Sequence, residues 1–325
     1  MSWLVTGGAG YIGSHVVRAL MEAGIEPVVV DDLSTGLRRF VPPGVRLVEG
    51  SVLDEAVLDE ALAGPGVDGV IHLAGYKYAG ESVKRPLHTY DQNVTATVGL
   101  VRAMLARGVT NMVFSSSAAV FGTPTSDDVR EDTPTAPESP YGETKLISEW
   151  ILRDAGIAHD LAHTSLRYFN VVGSGRPDLF DVSPPNLFPL VFDMLYRGDV
   201  PRINGADYPT PDGTCVRDYV HVTDLATSHV AAAARMMAGR QIEPVYNLGS
   251  GEGYSVREVM DTIREVTGVE FEPTIAPRRP GDPARIVASG ALAARDLDWA
   301  MRHNLRDMVA SAWEARQQAG DDYPS

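Results

Sequence analysis

Tyr141 and Lys145 stand four residues apart in the run Tyr141-Gly142-Glu143-Thr144-Lys145. On a helix that spacing is about one turn, so both side chains leave the same face. A free tyrosine gives up its proton near pH ~10, and bringing this to neutrality takes about 4 kcal/mol of differential stabilisation. A lysine ammonium and a second cation close by can supply it, which would make the phenol a general base. The same pair also fits an ordinary amphipathic helix, so its weight comes from its company. That company is Ser115-Ser116-Ser117, closing the strand-like run NMVFSSS. Open α/β sheets bind ligands beyond the C-terminal ends of their strands, where a serine can relay a proton between a substrate hydroxyl and a tyrosine.

A second constellation opens the chain. Gly7, Gly10 and Gly13 form GxxGxxG in TGGAGYIGSH, between an apolar run and a helical pattern. Backbone can approach a pyrophosphate only where no Cβ intrudes, and the following helix directs its N-terminus at the anion. Glycine turns are common, but here Asp31 follows at the end of the next apolar run. A carboxylate there accepts hydrogen bonds from adenosine ribose hydroxyls and repels a 2′-phosphate, which points to NAD rather than NADP.

These groups need elements to hold them. WLVTG (3–7), EPVVVDD (26–32), RLVEG (46–50), GVIHLAG (69–75) and NMVFSSS (111–117) read as buried strands. HVVRALMEAG (15–24), AVLDEAL (56–62) and NVTATVGLVRAMLARG (93–108) carry helical apolar spacing. Their alternation predicts an α/β fold: a Rossmann-type doubly wound parallel sheet with helices on both faces. From about residue 171 the rhythm breaks in the Gly- and Pro-rich GSGRPDLFDVSPPNLFP. Residues 218–239 restore a strand-to-helix unit, 244–250 another strand, and Ser255 with Glu258 predicts a capping box. The expected division is a dinucleotide-binding domain over 1–170, rejoined by 215–247, and a smaller C-terminal α+β substrate-binding region over 171–325.

Composition narrows the function classes. The 325 residues are 44% hydrophobic, enough for a sizeable core, and 28 basic against 43 acidic residues give a net charge of −15. Such a surface repels nucleic acid and anionic lipid. No apolar run reaches the ~18 residues of a membrane helix, and the N-terminus lacks the basic region of a signal peptide. The single cysteine, Cys215, permits no internal disulfide. His72 and His221 read as packed core histidines, and no metal site is expected. The chain is predicted to work in the cytoplasm, without nucleic-acid or membrane partners.

These motifs resemble the extended short-chain dehydrogenase/reductases, and within them the UDP-glucose (UDP-galactose) 4-epimerases. The likeness runs through TGGAGYIGSHVVRAL, VVVDDLSTG, VIHLAGYKYAGESVKRPL, FSSSAAVFG, SPYGETKL, LRYFNVVG, DGTCVRDYVHV, YNLGSGEGYSV and APRRPGDPA. It implies Tyr141 as base at the sugar 4-hydroxyl, Lys145 as its electrostatic and cofactor-ribose partner, and Ser117 as proton relay. It further implies that Gly7, Gly10, Tyr11, Ile12, Gly13, Asp31, Asp32, Ser34, Ser51, Val52, Leu73, Ala74, Gly75, Lys77, Asn93, Ser115 and Tyr168 surround NAD together with Tyr141 and Lys145. A UDP-hexose would meet Lys77, Ser117, Tyr141, Asn170, Asn186, Leu187, Asn204, Arg217, Tyr219, Val256, Arg279, Asp282 and Ile286. The arginines would take the diphosphate, where guanidinium forks suit a dianion, and Asp282 a ribose hydroxyl. A homodimer through the helices at 93–108 and 140–155 is also implied.

The chain departs from the family pattern in places. Ser51 stands where an aspartate usually meets the adenine amino group, and Asn204 replaces an aromatic residue that usually packs on uracil. Ile286, four residues after Asp282, occupies a position that in the family gates the C2 substituent. A branched aliphatic there predicts plain UDP-hexoses over N-acetylated ones. Tyr78 adds an aromatic beside Lys77. Competing readings are an epimerase of UDP-N-acetylhexosamines, a nucleotide-sugar lyase and a non-catalytic NAD-binding regulator. Ala118-Ala119 after Ser117 lacks the Asp-Glu pair that the dehydratases use for elimination, and the intact Tyr141/Lys145 pair speaks against the regulator.

Overall fold

The computed structural model describes the whole chain except residues 64–65, 125, 127, 182, 184–185, 279–282, 321–322 and 324–325. Seven parallel strands form the main sheet: β1 (Ser2–Thr6), β2 (Glu26–Asp31), β3 (Arg46–Glu49), β4 (Val67–His72), β5 (Asn111–Ser115), β6 (Ala162–Tyr168) and β7 (Val245–Leu248), in the order β7-β6-β5-β4-β1-β2-β3. Side chains alternate between its faces. Trp3, Val5, Val29 and Ile71 pack on one side with helices α1 (Tyr11–Glu22) and α6 (Val222–Met237). Leu4, Val28, Val30 and Val70 pack on the other with α2 (Glu55–Leu62), α3 (Ala96–Ala106) and α4 (Pro140–His159). Each large apolar side chain buried this way contributes about 1.5–3 kcal/mol. Because both faces are covered, the strands are nearly continuous apolar runs.

Sequence order reverses between β1 and β4, neighbours that flank the switch point where such sheets bind ligands. Thr6 ties the two strand ends together: its hydroxyl oxygen accepts from the backbone N–H of Leu73 at 3.2 Å and of Ala74 at 3.3 Å.

Three boundaries differ from the sequence reading for local physical reasons. Helix α1 begins at Tyr11 rather than near residue 15, so the glycine loop itself starts the helix. The single helix expected over 93–108 begins instead as a π turn, Asp91–Thr95, before α3. Asn93, in this widened turn, directs its amide to Tyr76 in the loop after β4. Strand β5 ends at Ser115, and Ser117 caps a short 3-10 helix, Ala118–Phe121, by accepting from the Ala119 N–H at 3.2 Å.

The rest of the chain builds a wall over the sheet's C-terminal edge. Helices α5 (Leu187–Arg197), α7 (Val256–Thr267) and α8 (Leu305–Ala319) share a core of Phe188, Phe192, Val259, Ile263, Met308 and Val309. The Ser255–Glu258 capping box at α7 is present. Strand Val216–Arg217 lies between Arg285–Ala288 and Tyr254–Ser255 in a four-stranded sheet.

Candidate active site

A cleft of about 820 Å³ runs from the glycine loop, across the ends of β1, β4, β5 and β6, to the wall made by α5 and strand Val216–Arg217. At its first end Gly7 has φ +73°, and a Cβ on it would come within 2.8 Å of the Ala74 nitrogen. A Cβ on Gly13 would stand 2.1 Å from the Gly7 carbonyl oxygen. The loop can therefore pack this closely only as glycine, which leaves backbone and the N-terminus of α1 facing the cleft. Asp31 is buried; one carboxylate oxygen accepts from the Ala9 N–H and the other from the Leu33 N–H, both at 2.9 Å. Burial raises its pKa, and those two hydrogen bonds oppose the rise. A cradle closed to any Cβ beside a fixed carboxylate fits a dinucleotide's pyrophosphate and ribose. Tyr11, Ile12, Asp32, Ser34, Ser51, Val52, Leu73, Ala74, Gly75 and Lys77 line the same stretch.

In the middle of the cleft, Ser139 caps α4 by accepting from the Gly142 N–H at 3.2 Å, and Pro140 opens the helix. The next turn presents Tyr141 and Lys145 to the end of β5. Lys145 is buried, donates to the Ser115 carbonyl oxygen at 2.8 Å, and lies 5.8 Å from the centre of the Tyr141 ring. Burial lowers its pKa to about 8, with Glu149 opposing. Burial also raises the Tyr141 phenol, while a hydrogen bond with Ser117 lowers it. The Ser115 hydroxyl meets the Tyr168 hydroxyl across the floor.

At the far end lie Asn170, Asn186, Leu187, Asn204, Arg217, Tyr219 and Val256. The N-terminus of α5 opens here behind Asn186, whose amide donates to Asp181 at 2.8 Å. Tyr219 is held edge-on to Phe188, ring centres 5.6 Å apart.

Three expected site residues pack against groups that line the cleft. The Asn93 amide accepts from the Tyr76 N–H at 2.7 Å and donates to the Tyr76 carbonyl and the Thr144 hydroxyl, so it braces the loop beside Lys77. Ile286 is buried with Val120, Phe121, Val129 and Leu146, on a strand whose register sets it opposite the cleft-lining Arg217. Ser117 is in contact with Tyr141, which lines the cleft. Arg279 and Asp282 lie outside the described residues. His72 and His221 are buried; His72 meets the Thr6 hydroxyl, and His221 caps α6. Among the described residues no group of three or more His, Cys, Asp or Glu side chains could hold a metal. Likewise no helix among them is long and apolar enough to cross a membrane.

The structure also adds lining residues that the motifs did not reveal. Tyr76 packs edge-on to Tyr78 and His88, ring centres 5.4 and 5.0 Å apart, and all three line the cleft with Asp181 and Arg202. Arg202 was within reach of pattern reasoning, because it lies two residues before Asn204 on one strand and so shares its face. His88 carried no such signal.

Comparison with known proteins agrees with this geometry. The model of the NAD dependent epimerase/dehydratase family matches residues 3–249. The UDP-glucose 4-epimerase of Azospirillum brasilense is 45% identical over 318 residues, spanning 96% of this chain and 91% of that protein. A crystal structure of a UDP-glucose 4-epimerase superposes with a TM-score of 0.95 at 38% identity, covering 99% of both chains. The Bifidobacterium longum UDP-glucose 4-epimerase, solved in complex with NAD+ and UDP, superposes with a TM-score of 0.89 at 37% identity over 100% of both chains.

Proposed function

Because this chain belongs to the NAD dependent epimerase/dehydratase family, we propose that it interconverts UDP-glucose and UDP-galactose by inverting C4 through a 4-keto sugar. The observation that carries the reading is one continuous cleft. It joins a glycine cradle for the dinucleotide, the Tyr141/Lys145/Ser117 cluster and a basic far wall with Arg202 and Arg217. Bound NAD would supply a reversible hydride acceptor for C4 of the hexose. Tyr141 takes the proton of the 4-hydroxyl and later returns it, with Ser117 as relay. Lys145 favours the phenolate by its charge. Asn186, Leu187, Arg217, Tyr219 and Val256 hold the uridine diphosphate, so the keto sugar can turn and present its other face while its anchor stays in place. Arg279 and Asp282 join this proposal on resemblance alone.

Incubation with UDP-galactose and no added NAD, followed by product separation, tests the reading. It predicts conversion to UDP-glucose without net NADH. With NAD added, NADH formed in step with substrate would instead indicate a dehydrogenase, and inertness towards every UDP-sugar a non-catalytic regulator. Tyr141→Phe should stay folded and lose most turnover.

The proposal extends to galactose metabolism in the cytoplasm, in keeping with a single buried cysteine, and to a homodimer. Trp150 and Ile157, two turns apart on α4, are 47% and 80% exposed, which supports a partner on that face.

A further inference from the structure

Glu149 takes no part in the proton transfer described above, yet it is among the most heavily bonded carboxylates in the molecule. It sits on α4 one turn beyond Lys145 and two beyond Tyr141. One of its oxygens accepts from the Ser116 hydroxyl at 2.5 Å and from Arg167 Nε at 2.9 Å; the other accepts from Arg167 Nη2 at 2.6 Å. Both charged side chains are only 6% exposed. Arg167 is itself fixed, with its guanidinium 5.0 Å over the Phe121 ring and one Nη1–H on the Glu131 carbonyl.

Ser116 is the hinge of this arrangement. It is 1% exposed and lies between the two serines that touch the reacting groups. Ser115 offers its carbonyl to Lys145 and its hydroxyl to Tyr168, and Ser117 meets Tyr141. The Ser116 side chain turns away from the cleft to Glu149. We infer that Glu149 is a positioning residue, acting through Ser116 to hold the strand end Ser115–Ser117 in register with the helix turn that carries Tyr141 and Lys145. The inference rests on the epimerase reading and deepens it.

The surrounding charges agree. Glu149 faces Arg167 and His163 from β6 and Lys145 along its own helix, and His72 approaches Lys145 from β4. Glu149 favours the charged form of both Lys145 and His163. Removing its charge would leave Arg167 uncompensated, so Lys145 would lose its proton at lower pH. Loosening Ser116 would weaken the Ser117–Tyr141 hydrogen bond, which lowers the phenol.

Ser116→Ala tests this while leaving the ion pair in place, with Ser116→Thr as the conservative control and Glu149→Gln as the charge variant. On the protein as purified, Ser116→Ala should lower kcat for UDP-galactose by about 10- to 100-fold with KM little changed, and Ser116→Thr should restore most of it. Tyrosinate absorbance, taken as the difference from Tyr141→Phe, should show Tyr141 ionising at higher pH in Ser116→Ala. Glu149→Gln should also bring the alkaline limb of the rate profile to lower pH. A merely structural role would lower the melting temperature and leave kcat per folded molecule and the Tyr141 titration unmoved; that result in Ser116→Ala would overturn the inference. If Glu149→Gln does not fold, Ser116→Ala decides. Were the unmodified protein inert towards UDP-galactose, the functional reading would fail, and the Tyr141 titration would still decide the role of Glu149 and Ser116.

Discussion

Lys145 donates to the carbonyl oxygen of Ser115 at 2.8 Å, a bond that pins the ammonium to the end of β5 within reach of Tyr141. With its pKa brought down to about 8 by burial, Lys145 is charged below that pH and neutral above it. The phenolate loses its cationic support as pH rises through this range. His72, the nearby imidazole, is lowered to about 3 by burial and then by Lys145, so it does not titrate there. The expected outcome is a kcat/KM that falls above about pH 8, and a loss of about 10²- to 10⁴-fold in Lys145→Met. A rate profile that stays flat up to pH ~10 would contradict the assignment.

Asp31 spends both carboxylate oxygens on backbone N–H groups of Ala9 and Leu33. It therefore cannot swing away from a 2′-phosphate placed at the ribose. Like charges about 4 Å apart repel by about 1–4 kcal/mol between bulk water and a protein surface, which is roughly 5- to 1000-fold in affinity. Calorimetry should find NADP bound more weakly than NAD by a factor in that range, and Asp31→Ser should narrow the difference. Equal affinities in the unmodified protein would remove Asp31 as the selector.

Much of the first half was legible because its signals are local. Runs such as EPVVVDD can be little other than buried parallel strands, and Gly7, Gly10 and Gly13 announce a close backbone approach that the structure shows atom by atom. The YxxxK spacing located one helix face, and that face does meet the Ser115–Ser117 strand end. The neighbours that sequence reasoning did not foresee depend on register and on single-residue insertions. The π turn at Asp91–Thr95 carries Asn93, whose amide bonds the backbone of Tyr76. Ile286 pairs with Arg217 and packs among Val120, Phe121, Val129 and Leu146, neighbours that no period in the sequence encodes. His88 reaches the cleft only because two short helices, Ala79–Lys84 and Pro86–Tyr90, fold back against α4, and no period in the sequence encodes that.

The burial of Ile286 changes what its substitution should do. Ile286→Ser would leave a void and a hydroxyl among Val120, Phe121, Val129 and Leu146, with a cost of about 2–5 kcal/mol by analogy with other large-to-small core changes. A lower melting temperature is expected, with turnover of plain and N-acetylated UDP-hexoses reduced together. A rise in N-acetylhexosamine turnover alone would instead identify Ile286 as the gate at the C2 substituent.

Four histidines set the acid limit of the fold. His15, His72, His221 and His229 are each at most 4% exposed. Burial lowers them to about 4, 3, 4 and 4 respectively. Their rings are already committed: His15 accepts from the Gly175 N–H, His221 stacks on His303 at 4.1 Å, and His229 packs against Tyr168. In the unfolded chain each takes up a proton near pH ~6.5. Above that value both states hold the same protons, and the stability is fully present. Below it the unfolded state binds more, so each histidine costs about 1.4 kcal/mol per pH unit until its folded pKa is reached. Four together cost about 5–6 kcal/mol per unit, against a total stability of about 5–15 kcal/mol for a typical fold. Asp31 and Asp218, both raised by burial, work the other way and offset part of the loss only at the acid end of the range. Calorimetric melting temperature should therefore hold near neutrality and drop steeply once pH passes below ~6.5. His229→Gln, which removes one of the four titrations, should make that drop shallower. A melting temperature that stays level down to pH ~5 would mean that these rings protonate in place, without the burial cost their surroundings impose.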